Sequence, residues 1–404
     1  MDKQPAQSRF AGSPLEVLRV YLKLGVSSFG GPIAHIGYFR EEFVVRRRWL
    51  DERAFVDLVA LCQFLPGPAS SQVGFSIGLM RAGYAGGLAA WTGFTLPSAI
   101  LLVLFAYGAG SLSGPLGAGV LHGLKLVAVA IVAQAVWGMA RTLCPDRERA
   151  SIAVIAALII SLSGSSLSQI GAILLGGIAG LWFRRTSPPA EGGHFAVPVS
   201  RGAGLAALVA FFVLLAGLPV LQTFHVWQGI ALLEAFYRSG ALVFGGGHVV
   251  LPLLREAFVP PGWVSDDVFL AGYGAAQAIP GPLFTFAAYL GAVAKTSPHG
   301  LVGAALGLFG IFIPGMLLLV GTLPFWENFR KRARAQAAMR GVNAAVVGVL
   351  GAALYNPVWV SSVKTPGDFG VALLGFVLLT VWHIPPLAVV ILGALAGMAL
   401  TFAG

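Results

Sequence analysis

The chain of 404 residues is 57% hydrophobic and only 10% charged, with a mean hydropathy of +0.83. That balance excludes a soluble domain and implies a polytopic membrane protein. Its net charge of +10 sits in a few clusters that form no nucleic-acid-binding motif, so it marks membrane topology and argues against nucleic acid as a partner.

In chain order, the polar N-terminus shows no obvious cleavage site for a signal peptide. Two interrupted apolar segments follow, 15–39 and 53–80, broken by "FGGP" at 29–32 and by "PGP" at 66–68. The run 87–105 is long enough to span a bilayer, 106–118 carries no charge, and the helix holding Lys125 ends at the basic stretch 141–149. Residues 186–202 read as a linker and 203–221 as one connecting helix. A second pair of interrupted segments, 229–254 and 268–294, is broken at 244–247 and at 280–282. It leads to a basic stretch at 322–334 and a last apolar run, 387–404. About thirteen hydrophobic segments result on a ~20-residue spanning criterion. The expected domains are a first repeat at 1–185, a linker with its connecting transmembrane helix at 186–222, and a second repeat at 223–404.

The two halves align. "FGGPIAHIGYFREEF" (29–43) meets "FGGGHVVLPLLREAF" (244–258) at an offset of 215, and the Pro-Gly-Pro triplets meet at 214. Gly93 and Pro97 meet Gly310 and Pro314 at 217, so the chain is a duplicated unit. Each basic loop of one copy faces a base-poor loop of the other. The stretch 40–53 has five arginines, whereas 255–267 has Arg255 with Glu256, Asp266 and Asp267. Under the positive-inside rule that asymmetry predicts copies inverted in the membrane, with an odd connecting helix between them. The expected fold is all-α, built from two inverted-topology repeats. Their broken segments are either re-entrant or fully crossing; the charge count favours re-entrant.

Non-helical backbone at membrane depth persists only where protein or a watery cavity surrounds it. Helices restarting there aim N–H groups and a positive dipole end at one place, which suits an anion. The candidate site therefore comprises Gly30, Gly31, Pro32, Pro66, Gly67, Gly245, Gly246, Gly247, Pro280 and Gly281, with the hydroxyls of Ser70, Ser71 and Thr285. Lys23 and Arg238 share an offset of 215 and are candidate cations beside it; snorkelling to an interface is the plainer alternative. Lys125, whose counterpart is Asn343, is a further candidate. Gln63 and Gln277 precede each Pro-Gly-Pro and are suited to bonding its freed carbonyls. His35 and His248 flank the glycine breaks, and Arg40–Glu41 and Arg255–Glu256 repeat as adjacent charges. All eight are candidates for gating or proton-linked roles, with packed or interfacial roles as the alternative. The two cysteines, Cys62 and Cys144, give no metal spacing or disulfide framework. No metal or cofactor is expected.

"FGGPIAHIGYFREEFV", "FLPGPASSQVGFSIG", "FGGGHVVLPLL" and "AIPGPLFTFAAYLG" together resemble the chromate ion transporter family, in its long, two-domain form. The resemblance covers essentially the whole chain. It implies export of chromate across a bacterial inner membrane, with sulfate as the near-isosteric competitor, and with Phe29–Pro32, Pro66–Pro68, Phe244–Gly247 and Pro280–Pro282 as the family motifs. The expected orientation has a cytoplasmic N-terminus and a periplasmic C-terminus, with the lipid bilayer and a homodimer mate as further partners. The residues alone leave other oxyanions open. They also leave open a membrane lipid phosphatase, although Ser70 and Ser71 lack an acidic neighbour in sequence.

Overall fold

The computed structural model describes residues 12–109, 114–163, 167–182, 198–224, 227–244, 247–326 and 332–403. The described residues are helical and contain no strand. The first repeat runs through α1 (Pro14–Ser27), α2 (Gly31–Arg40), α3 (Glu52–Phe64), α4 (Ala69–Ala109), α5 (Gly114–Leu143), α6 (Arg147–Ser163) and α7 (Leu167–Trp182). After α8 (Arg201–Thr223) come α9 (Gln228–Ala241), α10 (Val250–Phe258), α11 (Asp266–Ala278), α12 (Phe286–Val293) and α13 (Gly300–Thr322). The chain closes with α14 (Ala333–Ala353), α15 (Pro366–Thr380) and α16 (Pro386–Ala403). Among the described residues, five stretches are long and apolar enough to cross a membrane: Ala69–Gly108, Leu116–Leu143, Arg201–Thr223, Gly300–Phe325 and Ala333–Ser362. The protein is an all-α integral membrane protein.

The first of these stretches is not one rod. Ala82 and Gly83 leave helical dihedrals, and the chain folds back on itself. A Cβ on Gly78 would stand 2.4 Å from the Gly86 carbonyl oxygen, so the two backbones touch. The second copy repeats the device with α12 against α13, where a Cβ on Gly291 would stand 2.0 Å from the Gly303 oxygen. In a bilayer helices gain little from hydrophobic burial against one another, and such backbone-to-backbone packing supplies the dispersion contact instead.

The arm 69–81 and helix α3 each have 13 residues, about 20 Å of helix against a hydrocarbon core of about 30 Å. Their outer ends lie together. Arg81 pairs with Glu16 at 3.1 Å and stacks over Trp49 at 4.9 Å, while Arg40 bonds Glu52 at 2.7 Å. So α1, α2, α3 and 69–81 start or finish on one side, as two hairpins. Tyr21, Phe39, Phe43 and Phe94 fill the wedge between them, with Tyr21 stacked on Phe43 at 5.1 Å. The second copy does the same with α9–α12. Arg255 grips Asp266 through two bonds of 2.8 Å, and Lys295 N–H donates to the Trp263 carbonyl at 2.9 Å.

Equivalent helices run in opposite directions. The arm 84–109 leaves the side of Arg81 and reaches Tyr107, whose hydroxyl lies 3.0 Å from where a Cβ on Gly300 would stand. Helix α13 starts there and leads back to Trp326, whose Nε1 donates to Asp57 of α3 at 3.3 Å. The side holding Arg40, Arg47, Arg53 and Arg81 is basic. On the other side Glu256, Asp266 and Asp267 are balanced by Arg255, Lys125 and Lys295.

Candidate functional site

The four breaks meet at one junction. Gly67 N–H donates to the Val243 carbonyl at 2.7 Å, and Gly281 N–H donates to the Ser28 carbonyl at 2.9 Å. Gly67 and Gly281 are equivalent positions, as are Ser28 and Val243, so each copy's Pro-Gly-Pro caps the other copy's first hairpin. Such reciprocal exchange is the mark of two-fold pseudo-symmetry. At its centre Pro32 touches its own counterpart: Cγ lies 3.1 Å from a Cβ built on Gly247.

The triplets need glycine for two reasons. Gly67 and Gly281 have φ of +116° and +105°, which a side chain resists. A Cβ would also stand 2.9 Å from Gly315 Cα at the first site and 2.8 Å from Ser98 Oγ at the second. Ser98 and Gly315 are themselves repeat partners.

Side-chain caps stand at the starts of α1 (Ser13), α3 (Asp51), α8 (Ser200), α11 (Ser265) and α15 (Thr365), whereas α9, α13 and α14 start without one. At the junction α2 opens on Gly30 without a side-chain cap, and the turn at Leu283–Thr285 opens on Pro282 likewise. A helix also starts after Pro68, and a short turn stands at Gly247–Val249. First-turn N–H groups left uncapped are the donors of an anion site.

The hydroxyls divide. Ser71, 2% exposed, and Ser28, fully buried, have Oγ atoms with no hydrogen-bond partner among the described residues. Ser70 Oγ lies 3.4 Å from His35 Nδ1, and the other ring nitrogen faces the Ser28 carbonyl at 3.2 Å. Thr285 differs from expectation: its hydroxyl donates to Pro282 O at 2.7 Å and closes its own turn.

The structure redistributes the other candidates. Gln63 is exposed, and it is Gln72 that bonds the freed carbonyls, Pro66 O at 3.0 Å and Gly315 O at 2.9 Å. The Nε2 of Gln277 has no partner among the described residues. Arg40 and Arg255 pair with Glu52 and Asp266 rather than with their neighbours in sequence, and Glu41 takes Arg46 at 3.2 Å. These pairs close the outer ends of the hairpins. Glu256 lies instead beside Arg238, Ser239 and Gln169 around a small pocket. Lys23 is exposed on α1, whereas Arg238 is neutralised by Glu234 one turn away at 2.7 Å. Lys125 is spent on Asp267 at 2.8 Å. His248 bonds the Tyr273 hydroxyl at 2.9 Å, beside the junction. Gly245 and Gly246 lie outside the described residues.

One known family matches both halves of the chain. The sequence model of the chromate transporter family matches residues 15–181 and again 230–398. A chromate transport protein of Pseudomonas aeruginosa is 29% identical over 86% of this chain and 81% of its own. A probable chromate transport protein of Synechococcus elongatus is 27% identical over 95% and 94%, and a chromate transport protein of Cupriavidus metallidurans is 24% identical over 86% and 85%. No solved structure matches. The two family matches each contain one glycine break and one Pro-Gly-Pro, the four elements that meet at the junction, and the chain belongs to the chromate transporter family.

Proposed function

We propose that this protein is a secondary transporter that exports chromate from the bacterial cytoplasm across the inner membrane, with sulfate as an alternative cargo. The observation that carries the reading is the reciprocal pair of bonds, Gly67 to Val243 and Gly281 to Ser28, which gathers four helix starts at one point. Each helix start is equivalent to about half a positive charge, so four supply about two, the charge of chromate. The uncapped N–H groups together with Ser71 and Ser28 would bind the oxyanion, and Gly30, Gly31, Pro32, Pro66 and Pro280 hold the backbone open around it. Tetrahedral oxyanions of equal charge differ little in the donors they need, hence sulfate.

Each repeat is its own domain, 1–185 and 223–404, inverted in the bilayer and joined through 186–222. The antiparallel course of 84–109 and α13 supports the inversion, and the basic side carrying Arg40, Arg47 and Arg81 is the cytoplasmic one. The N-terminus is then cytoplasmic and the C-terminus periplasmic. An interior-negative potential supplies about 2.3 kcal/mol per charge per 100 mV, so a dianion leaving gains roughly 4.6 kcal/mol, or about three decades of gradient. Export needs no nucleotide. Counterflow of labelled chromate in proteoliposomes under an imposed potential tests this. Accumulation that follows the potential and is competed by sulfate is expected, and no chromate counterflow from active, oriented protein would refute it.

A further inference from the structure

The two copies share a pattern of contacts but differ in one place. Helices α5 and α14 are equivalent, and their register is fixed by matching glycines. A Cβ on Gly123 would stand 2.1 Å from Gly393 O on α16, and one on Gly341 would stand 2.0 Å from Gly176 O on α7. Helices α3 and α11 are equivalent at the 214 offset. Yet α11 packs closely on α5, where a Cβ on Gly274 would stand 2.3 Å from Leu124 O, while α3 has no comparable packing on α14.

The consequence appears residue by residue. Leu270 of α11 is fully buried, and its counterpart Val56 of α3 is 57% exposed. Gly274 is buried and its counterpart Ala60 is exposed, with Gln63 on the same open stripe one turn further. The cores agree. Leu270 and Tyr273 of α11 cluster with Ala128, Val129 and Val132 of α5, and Ala275 with Val127 and Ala130, whereas the buried residues of α3 cluster with α1, α2, α4 and the end of α13.

The polar residues at the seam are complementary. On the packed side Lys125 of α5 donates to Asp267 of α11. The counterparts exchange roles: position 343 on α14 is Asn, and position 53 on α3 is Arg. Asn343 Oδ1 is buried with no hydrogen-bond partner among the described residues, and Arg53 is exposed. An orphan buried acceptor stands where the symmetric contact would bring a guanidinium.

We infer that Lys125–Asp267 and Asn343–Arg53 are alternate latches. The structure is the state closed by the first latch on the side of Asp267 and open on the side of Arg53. The other state docks the stripe Val56, Ala60 and Gln63 of α3 on α14 around Val342, brings Arg53 to Asn343, and frees Lys125 from Asp267. The inference rests on the transporter reading for its purpose, but the exchange itself is a property of the fold. Inverted repeats permit it, because each half can adopt the conformation its partner now holds.

Two cysteine pairs test it in a chain whose Cys62 and Cys144 are replaced by Ala and which retains transport. Lys125→Cys with Asp267→Cys reports the first latch, and Ala60→Cys with Val342→Cys reports the second. Each pair should cross-link in membranes and suppress transport at least tenfold until reduced. With all four cysteines present, locking the first pair with a short bifunctional reagent should cut formation of the second at least tenfold. Asn343→Asp, which gives Arg53 a charged partner, should raise the yield of the second cross-link several-fold. Failure of Ala60→Cys/Val342→Cys to cross-link during turnover, or both links forming in one molecule, would overturn the inference. Mutually exclusive links without chromate counterflow would uphold the latches and refute the substrate.

Discussion

Gln72 joins the two copies through its side chain, and its replacement by Leu tests the junction's construction. The residue is fully buried and donates to two carbonyls, Pro66 O at 3.0 Å and Gly315 O at 2.9 Å, on opposite halves of the protein. Leu has similar volume and no donor, so both acceptors lose a partner in a medium that offers none. An unpaired buried polar group costs about 1–3 kcal/mol, and a carbonyl lies toward the lower end, giving about 2–3 kcal/mol for the two. That corresponds to roughly 2–4 °C of melting temperature for a chain of this length. The assay is the thermal unfolding of purified protein in detergent, beside labelled-chromate counterflow. Gln72→Leu should melt lower and transport less, while Gln63→Leu, at an exposed position, should stay within about 0.5 kcal/mol of wild type. A Gln72→Leu protein that melts with wild type would refute the view that this side chain holds the break.

Gly67→Ala should abolish counterflow while leaving membrane insertion intact, because the new Cβ meets Gly315 backbone at 2.9 Å. Gly281→Ala should be milder and be partly rescued by Ser98→Gly, since there the obstacle is a side chain 2.8 Å away; no rescue would contradict the contact. Arg238→Gln leaves the buried Glu234 without its partner and should lower the yield of folded protein. The double change Glu234→Gln/Arg238→Gln should restore yield and chromate half-saturation; persistent loss of affinity would return Arg238 to the binding site. Impermeant thiol reagents applied from the periplasmic side should label a cysteine at Asp266 and miss one at Arg47, and equal labelling of both would contradict the re-entrant, inverted arrangement.

The duplication, the broken helices and their meeting at one site were legible in the sequence because Gly-Gly and Pro-Gly-Pro act on backbone dihedrals wherever they stand. The partners of those breaks were not. Val243 and Ser28 accept through backbone carbonyls, which leave no trace in residue type. Gln72 was hidden because its repeat counterpart is Phe286, so comparison of the halves passed over it. Lys125 read as a candidate for substrate because its partner, Asp267, lies 142 residues away. Arg40 and Glu41 read as a pair because they are neighbours, but successive residues on a helix point apart, and Arg40 reaches Glu52 across the turn.

The central claim is that the junction itself binds the anion, and Ser71 is its sharpest probe. The residue sits in the first turn after Pro68, is 2% exposed, and has no hydrogen-bond partner for its hydroxyl among the described residues. A hydrogen bond to a charged group contributes about 1.5–3 kcal/mol, so its loss should weaken binding at least tenfold. The measurement is equilibrium binding of labelled chromate to purified wild type and Ser71→Ala protein of equal melting temperature. Saturable binding by wild type and a dissociation constant at least tenfold higher for Ser71→Ala are expected. Equal dissociation constants for the two proteins would contradict the claim.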